Sequence, residues 1–453
     1  MSSSFHSVRL KAENCVGCVH CLKSCPTKAI RIKNNRASII DDRCIDCGEC
    51  IRVCPQNAKV VDTDEIERIN DYKHTIAIVS PAFLVQFPNH ITPEKVLHSL
   101  VDLGFDSVFD LCLGGEISAK EINKILESGN YEPPLISSHC PAIVRLVQVK
   151  FPELVSNLVP VDTPLDITAE LAKNYVFQNE GIEKDDIGVF FLTMCSAKVT
   201  AIKNPEGKNN SPVDGTISVA EIYHTLRKIV KEDVQKKPNL VIPGSPGLGM
   251  GFDIVGCDKT GIKECICLSI SGIDKVIKIL QEIELKKIPQ LEYLELYSCD
   301  GGCVAGMLNV QNPYVTQVRF REVMDSLNEY ESNYELLKKD LPEGFSPQRI
   351  SLEARPIGGL SDNISQSLRK LGMMEKTLSD LPGVDCGACG APTCRDLAED
   401  IVQGRAEISS CVFYLLNSMA ELTGEAYYLA KKVPYVRGKN KTKRIDSFGG
   451  GSS

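Results

Sequence analysis

The spacing of its cysteines constrains this chain more than any other feature. Cys15, Cys18, Cys21 and Cys25 precede Pro26, and Cys44, Cys47, Cys50 and Cys54 precede Pro55. Each set reads C-x2-C-x2-C-x3-C-P, a run that closes around a [4Fe–4S] cube. Three thiolates at this spacing wrap one loop around a cube face, while the fourth crosses to the other cube. The expected ligand sets are therefore Cys15, Cys18, Cys21 and Cys54 for one cubane, and Cys44, Cys47, Cys50 and Cys25 for the other. A zinc site more often shows two separated C-x2-C pairs.

Near the other end, Cys386, Cys389, Cys394 and Cys411 have the spacing C-x2-C-x4-C-x16-C, with glycines between the first members. Those glycines let backbone close around a further cubane, and a helix expected over Arg395 to Gly404 returns the chain to Cys411. The first motif resembles bacterial two-cluster ferredoxins, which implies a ferredoxin-like α+β domain over 1–62. The second implies a small, mainly helical iron–sulfur domain over 358–430. Residues 431–453 read as a basic tail followed by a linker, Gly449 to Ser453.

The 453 residues suffice for more than one domain, and 43% hydrophobic with 24% charged residues reads as globular. No apolar run reaches the roughly 18 residues of a membrane span, so no membrane association is expected. The start, Met-Ser-Ser-Ser-Phe-His, lacks the apolar core of a signal peptide, so a cytoplasmic location is expected. In that setting twenty cysteines read as reduced metal ligands and not as disulfides. The formal charge of −8 grows more negative as thiolate clusters load, which disfavours nucleic-acid binding. The absence of Trp removes one platform for stacking bases.

Between the cluster motifs, a polar segment from Asp62 to Lys73 leads into alternating strand and helix patterns. Strands are expected at Thr75 to Val79, Ser107 to Leu113, Leu135 to Ser137, Val189 to Leu192, Ile266 to Ile270 and Tyr293 to Tyr297. Helices are expected at Val96 to Leu103, Ser118 to Leu126, Asp274 to Ile283 and Phe320 to Asp340. This alternation predicts an α/β fold, with parallel sheets covered by helices. Asn204 to Gly215 reads as a surface loop. Lys237 to Gly251 is rich in Pro and Gly and reads as a loop lining or gating a pocket. Its Gly247-x-Gly249-x-Gly251 run lacks the strand–helix context of a nucleotide site.

Cys140, Cys195, Cys299 and Cys303 stand in this middle region, the first three each just after an expected strand. Ligands of open parallel sheets collect outside the carboxyl ends of strands. Lone cysteines are often simply buried, but four soft thiolates at strand ends favour an iron–sulfur cluster or zinc.

Three segments carry a resemblance: Ser137-Ser138-His139-Cys140-Pro141, Thr193-Met194-Cys195-Ser196-Ala197-Lys198 and Cys299-Asp300-Gly301-Gly302-Cys303. They resemble the T-S-C-C-P, M-P-C-x-x-K and C-x-x-x-C segments of [FeFe]-hydrogenases. The resemblance implies a two-lobed catalytic domain over 73–345, with lobes roughly 73–182 and 183–345. It implies an H-cluster, in which the four cysteines bind a cubane and Cys303 also bridges to a two-iron unit carrying CO, cyanide and an azadithiolate. Three further [4Fe–4S] clusters complete the set. Lys198 matches a lysine that hydrogen-bonds one cyanide, and Ser80 and Pro81 match a segment beside the other. The implied activity is reversible H2 oxidation and proton reduction. Partners would be ferredoxin or a signalling protein for electrons and maturation proteins for the cofactor, with a homodimer possible in principle.

The chain departs from that pattern at several positions. His139 stands where the prototypes carry a proton-shuttling cysteine; an imidazole could relay protons or simply pack. Thr193-Met194 replaces Met-Pro, and Tyr297 stands where a methionine is common. These features resemble the divergent sensory hydrogenases (group D), and they imply slow turnover. Glu116, Glu121 and Glu295 are candidate carboxylate relays that could equally be ordinary helix-face or strand charges. Cys112, Cys257, Cys265 and Cys267 are left over, the last two reading as buried packing on one strand face. The alternatives are a hydrogenase-like assembly protein without the two-iron unit, against which Lys198 argues mildly, and a multi-cluster electron carrier.

Overall fold

The computed structural model describes residues 5–232, 240–242, 250–256, 261–262, 265–327, 347–349, 352–357, 359–361 and 363–423. The chain divides into two compact units, one of residues 1–14 and 41–357 and the other of 15–40 and 358–453. The division passes through the ferredoxin-like motif expected over 1–62, so its two halves fall in different units.

The larger unit is built on a five-stranded parallel sheet. Its order is Leu240–Ile242, Ser107–Asp110, His74–Val79, Ile187–Thr193 and Gly215–Ser218. His74–Val79 and Ile187–Thr193 are buried along their whole length. Such continuous apolar runs belong to parallel strands covered on both faces. One face packs Val79, Val108, Phe190 and Leu192 against the helix Pro93–Leu103. The other packs Ile76, Ile78, Phe109 and Phe191 against the helix Pro164–Glu180. Thr92 and Thr163 cap these helices, each with a side-chain oxygen accepting a main-chain N–H and a proline in the first turn.

A second sheet of the same unit has three parallel strands, Cys267–Ser271, Tyr293–Tyr297 and Leu135–Ile136. The helices Pro141–Lys150 and Ile273–Glu284 contribute to its core. The expected lobes, 73–182 and 183–345, each supply strands to both sheets. Both sheets thus point carboxyl ends toward the segments that carry Ser80, Cys140, Cys195 and Cys299.

Two expectations are corrected. The apolar stretch from Ser107 is a strand only to Asp110, and a helix runs over Cys112–Ser128. Asp110 turns the chain by accepting the Cys112 N–H at 3.0 Å. Gly114 lets this helix pack closely against Pro164–Glu180: a Cβ there would meet the Pro164 carbonyl oxygen at 2.0 Å. Cys267, expected as a reduced thiol, is disulfide-bonded. It and Cys265 are half-buried because Cys267–Ser271 is the edge strand of its sheet. The helix expected over Phe320 to Asp340 is described as Pro313–Leu327, and its remainder lies outside the described residues. Gly247, Gly249, Cys257 and the tail from Lys431 also lie outside them.

In the second unit, Ile30–Lys33 and Arg36–Ile39 form an antiparallel hairpin, with helices Ile364–Asp380, Cys394–Val402 and Val412–Thr423. The hairpin and the C-terminal segment are joined within this unit: the Ile32 N–H donates to the Gly390 carbonyl at 2.9 Å. Gly390 has φ +81, and a Cβ on it would lie 2.0 Å from the Ile32 carbonyl oxygen. Among the described residues no helix is long and apolar enough to cross a membrane.

Candidate metal centre

Each central cysteine is positioned by the carboxyl end of a strand or the loop that follows it. Cys140 follows Leu135–Ile136 and precedes Pro141–Lys150. Cys195 follows Ile187–Thr193 and precedes Ser196–Lys203, and its N–H is held by the Thr193 hydroxyl at 3.0 Å. Cys299 follows Tyr293–Tyr297. Gly301 and Gly302, at φ +102 and +91, fold the loop back so that Cys303 joins the others. A cavity is lined by Cys140, Cys195, Cys299, Cys303, Lys198 and Cys47, among others.

The electrostatics fit a thiolate-bound metal cluster. Burial pushes the Cys140 and Cys299 thiols up, and the neighbouring Cys195 raises both further. Burial also holds Cys303 well above the ordinary thiol value, although Lys198 pulls the other way. Thiols raised in this way ionise side by side only next to a strong positive charge, which an iron–sulfur core provides. Burial alone would weaken the Lys198 ammonium; Cys303, Asp253, Cys195 and Cys140 outweigh that and raise its pKa. Its Nζ lies 5.2 Å from the Phe191 ring centroid and 4.0 Å from Asp253 Oδ1.

Lys198 also lines a second cavity, together with Ser138, His139, Phe252, Asp253 and Arg349. His139 packs between aromatic rings, 4.8 Å from Tyr297 and 5.5 Å from Phe252 centroid to centroid. Burial, with Lys198 adding to it, pushes its pKa down to about 3, so the ring is neutral at physiological pH. Neither ring nitrogen has a hydrogen-bond partner, nor does the buried Ser80 hydroxyl. Pro81 opens a buried turn of helix, Pro81–Leu84, directly after the central strand.

The carboxylates suggested as relays stand apart from both cavity linings. Glu116 is buried on the helix Cys112–Ser128 and pairs with Lys120 at 3.0 Å. Glu121 pairs with Lys124 on the same helix. Glu295 is fully buried and receives the Ser269 hydroxyl at 2.6 Å and the Gly256 N–H at 3.1 Å. Its other oxygen lies 2.9 Å from the Tyr297 hydroxyl. Cys112 is fully buried, and burial followed by Asp110 raises its thiol.

The cluster motifs at the chain ends keep their internal repeat in the backbone. Cys25 accepts the Ala29 N–H at 3.2 Å, and Cys54 accepts the Ala58 N–H at 3.2 Å. Gly17 and Asp46, the middle residues of the two leading C-x2-C pairs, both have positive φ. At Asp46 the strain is held by His6 at 2.7 Å and Arg145 at 2.9 Å. Cys18, Cys44 and Cys50 are half-buried and Cys21 is buried, while Cys15 accepts the Ala37 N–H at 3.5 Å. Cys389, Cys394 and Cys411 belong to one small core, whereas Cys386 is exposed.

Sequence reasoning missed Asp253, Phe252 and Phe191. Asp253 follows the Pro- and Gly-rich stretch, where no periodic pattern marks a residue as buried.

Comparison with known proteins finds similarity to hydrogenases and to iron–sulfur domains. Residues 73–257 match the family of the iron only hydrogenase large subunit, C-terminal domain. Residues 7–68 match a 4Fe-4S dicluster domain, and 381–413 match a putative Fe-S cluster domain. Iron hydrogenase 1 of Clostridium pasteurianum is 28% identical over 261 residues, covering 51% of this chain and 44% of that protein. The periplasmic [Fe] hydrogenase large subunit of Nitratidesulfovibrio vulgaris is 23% identical over 364 residues, covering 66% and 86%. A solved [FeFe]-hydrogenase, studied for oxygen inactivation of its H cluster 2Fe subcluster, has a TM-score of 0.50 at 15% identity. It covers 65% of this chain and 96% of that one, a likeness of fold alone. The chain spans less than half the length of the clostridial relative.

Proposed function

We propose that this chain is an iron-only hydrogenase that interconverts H2 with protons and electrons, slowly enough to suit sensing or regulation. One observation carries the reading: four cysteines from the ends of three strands meet Lys198 at a single cavity. In this reading Cys140, Cys195, Cys299 and Cys303 would hold a cubane, and Cys303 would also hold a two-iron unit. That unit, when bound, supplies the redox and acid–base chemistry of H2 cleavage.

The chain supplies placement, dryness and charge. Lys198 offers three N–H donors, and Phe191 leaves its ammonium free to turn toward an anionic ligand such as cyanide. Ser80 and Pro81 would stand beside a second such ligand, to which the Ser80 hydroxyl, without a hydrogen-bond partner, would offer a donor. The apolar walls of Phe191, Met194 and Tyr297 keep water out, which strengthens these interactions. Cys47 lines the same cavity and supports electron passage through the cluster of which Cys44, Cys47 and Cys50 are ligands. Three further [4Fe–4S] clusters relay electrons toward a ferredoxin or a signalling protein. Maturation proteins deliver the two-iron unit. His139 stays neutral and cannot shuttle protons as a thiol does, which is the basis for slow turnover.

Infrared spectroscopy of anaerobically prepared protein, after supply of the two-iron cofactor, tests the reading. Sharp bands from metal-bound CO and cyanide that respond to H2 are expected. Fully loaded cubanes without such bands would replace it with an assembly or carrier role.

A further inference from the structure

We infer that Asp253 is a positioning residue, one carboxylate that holds both Lys198 and the Ser80–Ala82 turn against the group bound in the cavity. The inference rests on the hydrogenase reading above. Asp253 ends the short turn Met250–Asp253 and is 1% exposed. Its Oδ2 accepts the Ala82 N–H at 3.0 Å. Its Oδ1 has no hydrogen-bond partner and lies 4.0 Å from the Lys198 Nζ. The main chain beside it forms an antiparallel bridge, Ile254 with Gly302. Three segments therefore converge on one residue: the turn after the central strand, the helix that follows Cys195, and the loop between Cys299 and Cys303.

A half-satisfied buried carboxylate is costly. A purely structural cap for the Ala82 N–H needs only an uncharged acceptor, such as a serine or asparagine oxygen. The charge is explained by the ammonium. At 4.0 Å the two attract strongly in a dry site without closing a hydrogen bond. Lys198 is thereby drawn to one side of the Phe191 ring, with donors left over for an anion in the cavity. The carboxylate also offsets the ammonium charge, so the cavity is less positive than Lys198 alone would make it. The same residue sets the height of the Ser80–Ala82 turn, so both flanks of the bound group share one anchor.

The test is Asp253→Asn, which keeps an acceptor for Ala82 and removes the charge. The full chain is loaded with iron and supplied with the two-iron cofactor, and cyanide and CO bands are recorded for parent and variant. The variant is expected to bind iron as the parent does and to show shifted cyanide bands. In a Lys198→Gln background the same substitution should shift them little, because the two residues act as a unit. If Asp253→Asn alone loses iron, the double variant, which removes both charges, should recover it. Identical bands in parent and Asp253→Asn, an equal shift with and without Lys198, or failure of the double variant to recover iron would each overturn the assignment. A parent that shows no CO or cyanide bands would instead overturn the hydrogenase reading, and this assignment with it.

Discussion

At the scale of the residue, the molecule's most consequential choice is an imidazole at position 139. A buried histidine with no partner for either ring nitrogen carries the cost of desolvation without the return of a hydrogen bond. What holds it is edge packing against Phe252 and Tyr297, and Tyr297 is itself fixed by the Ile254 carbonyl at 2.8 Å and by Glu295. Proton transfer is efficient when the carrier titrates near the working pH, and a ring whose pKa sits at about 3 does not. His139→Cys restores the thiol that the family resemblance puts there. It should raise H2 turnover of the loaded protein by about 10²-fold, the low end of what a positioned acid–base group contributes. Turnover measured by gas evolution against a chemical reductant checks this, and an unchanged rate would place the limit elsewhere. The sequence alone left His139 open between relay and packing, because burial depends on rings more than a hundred positions away.

At the scale of the element, the strands were legible and the loops between them only in part. His74–Val79, Ile187–Thr193 and Tyr293–Tyr297 are apolar runs whose type and place follow from burial on both faces. The loop from Asn204 looked like surface, yet Glu206 is a largely buried partner of Arg145 at 3.1 Å and of Arg355 at 2.5 Å. Polarity in a loop does not distinguish solvation from ion pairing. The Cys299–Cys303 loop shows what its glycines do. Gly302 has φ +91, and a Cβ there would lie 2.7 Å from the Asp253 carbonyl oxygen and 3.1 Å from the Ile254 Cα. Both contacts are backbone and cannot swing aside. Gly302→Ala therefore combines an unfavourable backbone conformation with a clash, at a cost of roughly 1–3 kcal/mol for the strain alone. If Cys140, Cys195, Cys299 and Cys303 hold a cubane as proposed, the expected outcome is its selective loss. Iron content should fall by one cluster's worth while the remaining cluster signals in electron paramagnetic resonance persist. Full iron content in the variant would show that the loop can relax.

At the scale of the whole molecule, the division into units could not be read from motif spacing, because contacts between residues 369 positions apart help to set it. Arg31 and Asp400, each 4% exposed at the side chain, meet within the second unit at 2.6 Å, and Arg405 adds a 2.8 Å contact. Lys23 donates to the Pro392 carbonyl at 2.8 Å and also to the Asp385 carbonyl. These bonds fasten the segment bearing Cys15, Cys18, Cys21 and Cys25 to the loop bearing Cys386, Cys389 and Cys394. Burial alone would raise the Asp400 carboxyl, but hydrogen bonds from Arg31 and Arg405 outweigh it and hold it below the usual carboxylate range. A folded-state pKa below the unfolded value of about 3.9 means that the unfolded chain takes up the proton first as pH falls. The stabilisation is therefore complete above that value and is lost as pH drops through the folded pKa. Asp400→Asn leaves Arg31 buried beside a neutral amide, a loss of about 3–5 kcal/mol for a broken buried pair. The variant should unfold in this unit at lower temperature, and its stability should no longer fall as steeply between about pH 5 and pH 3. Thermal unfolding followed by circular dichroism across that range checks both. A variant with the parent's acid sensitivity would show that Arg31 and Asp400 do not hold the two segments together.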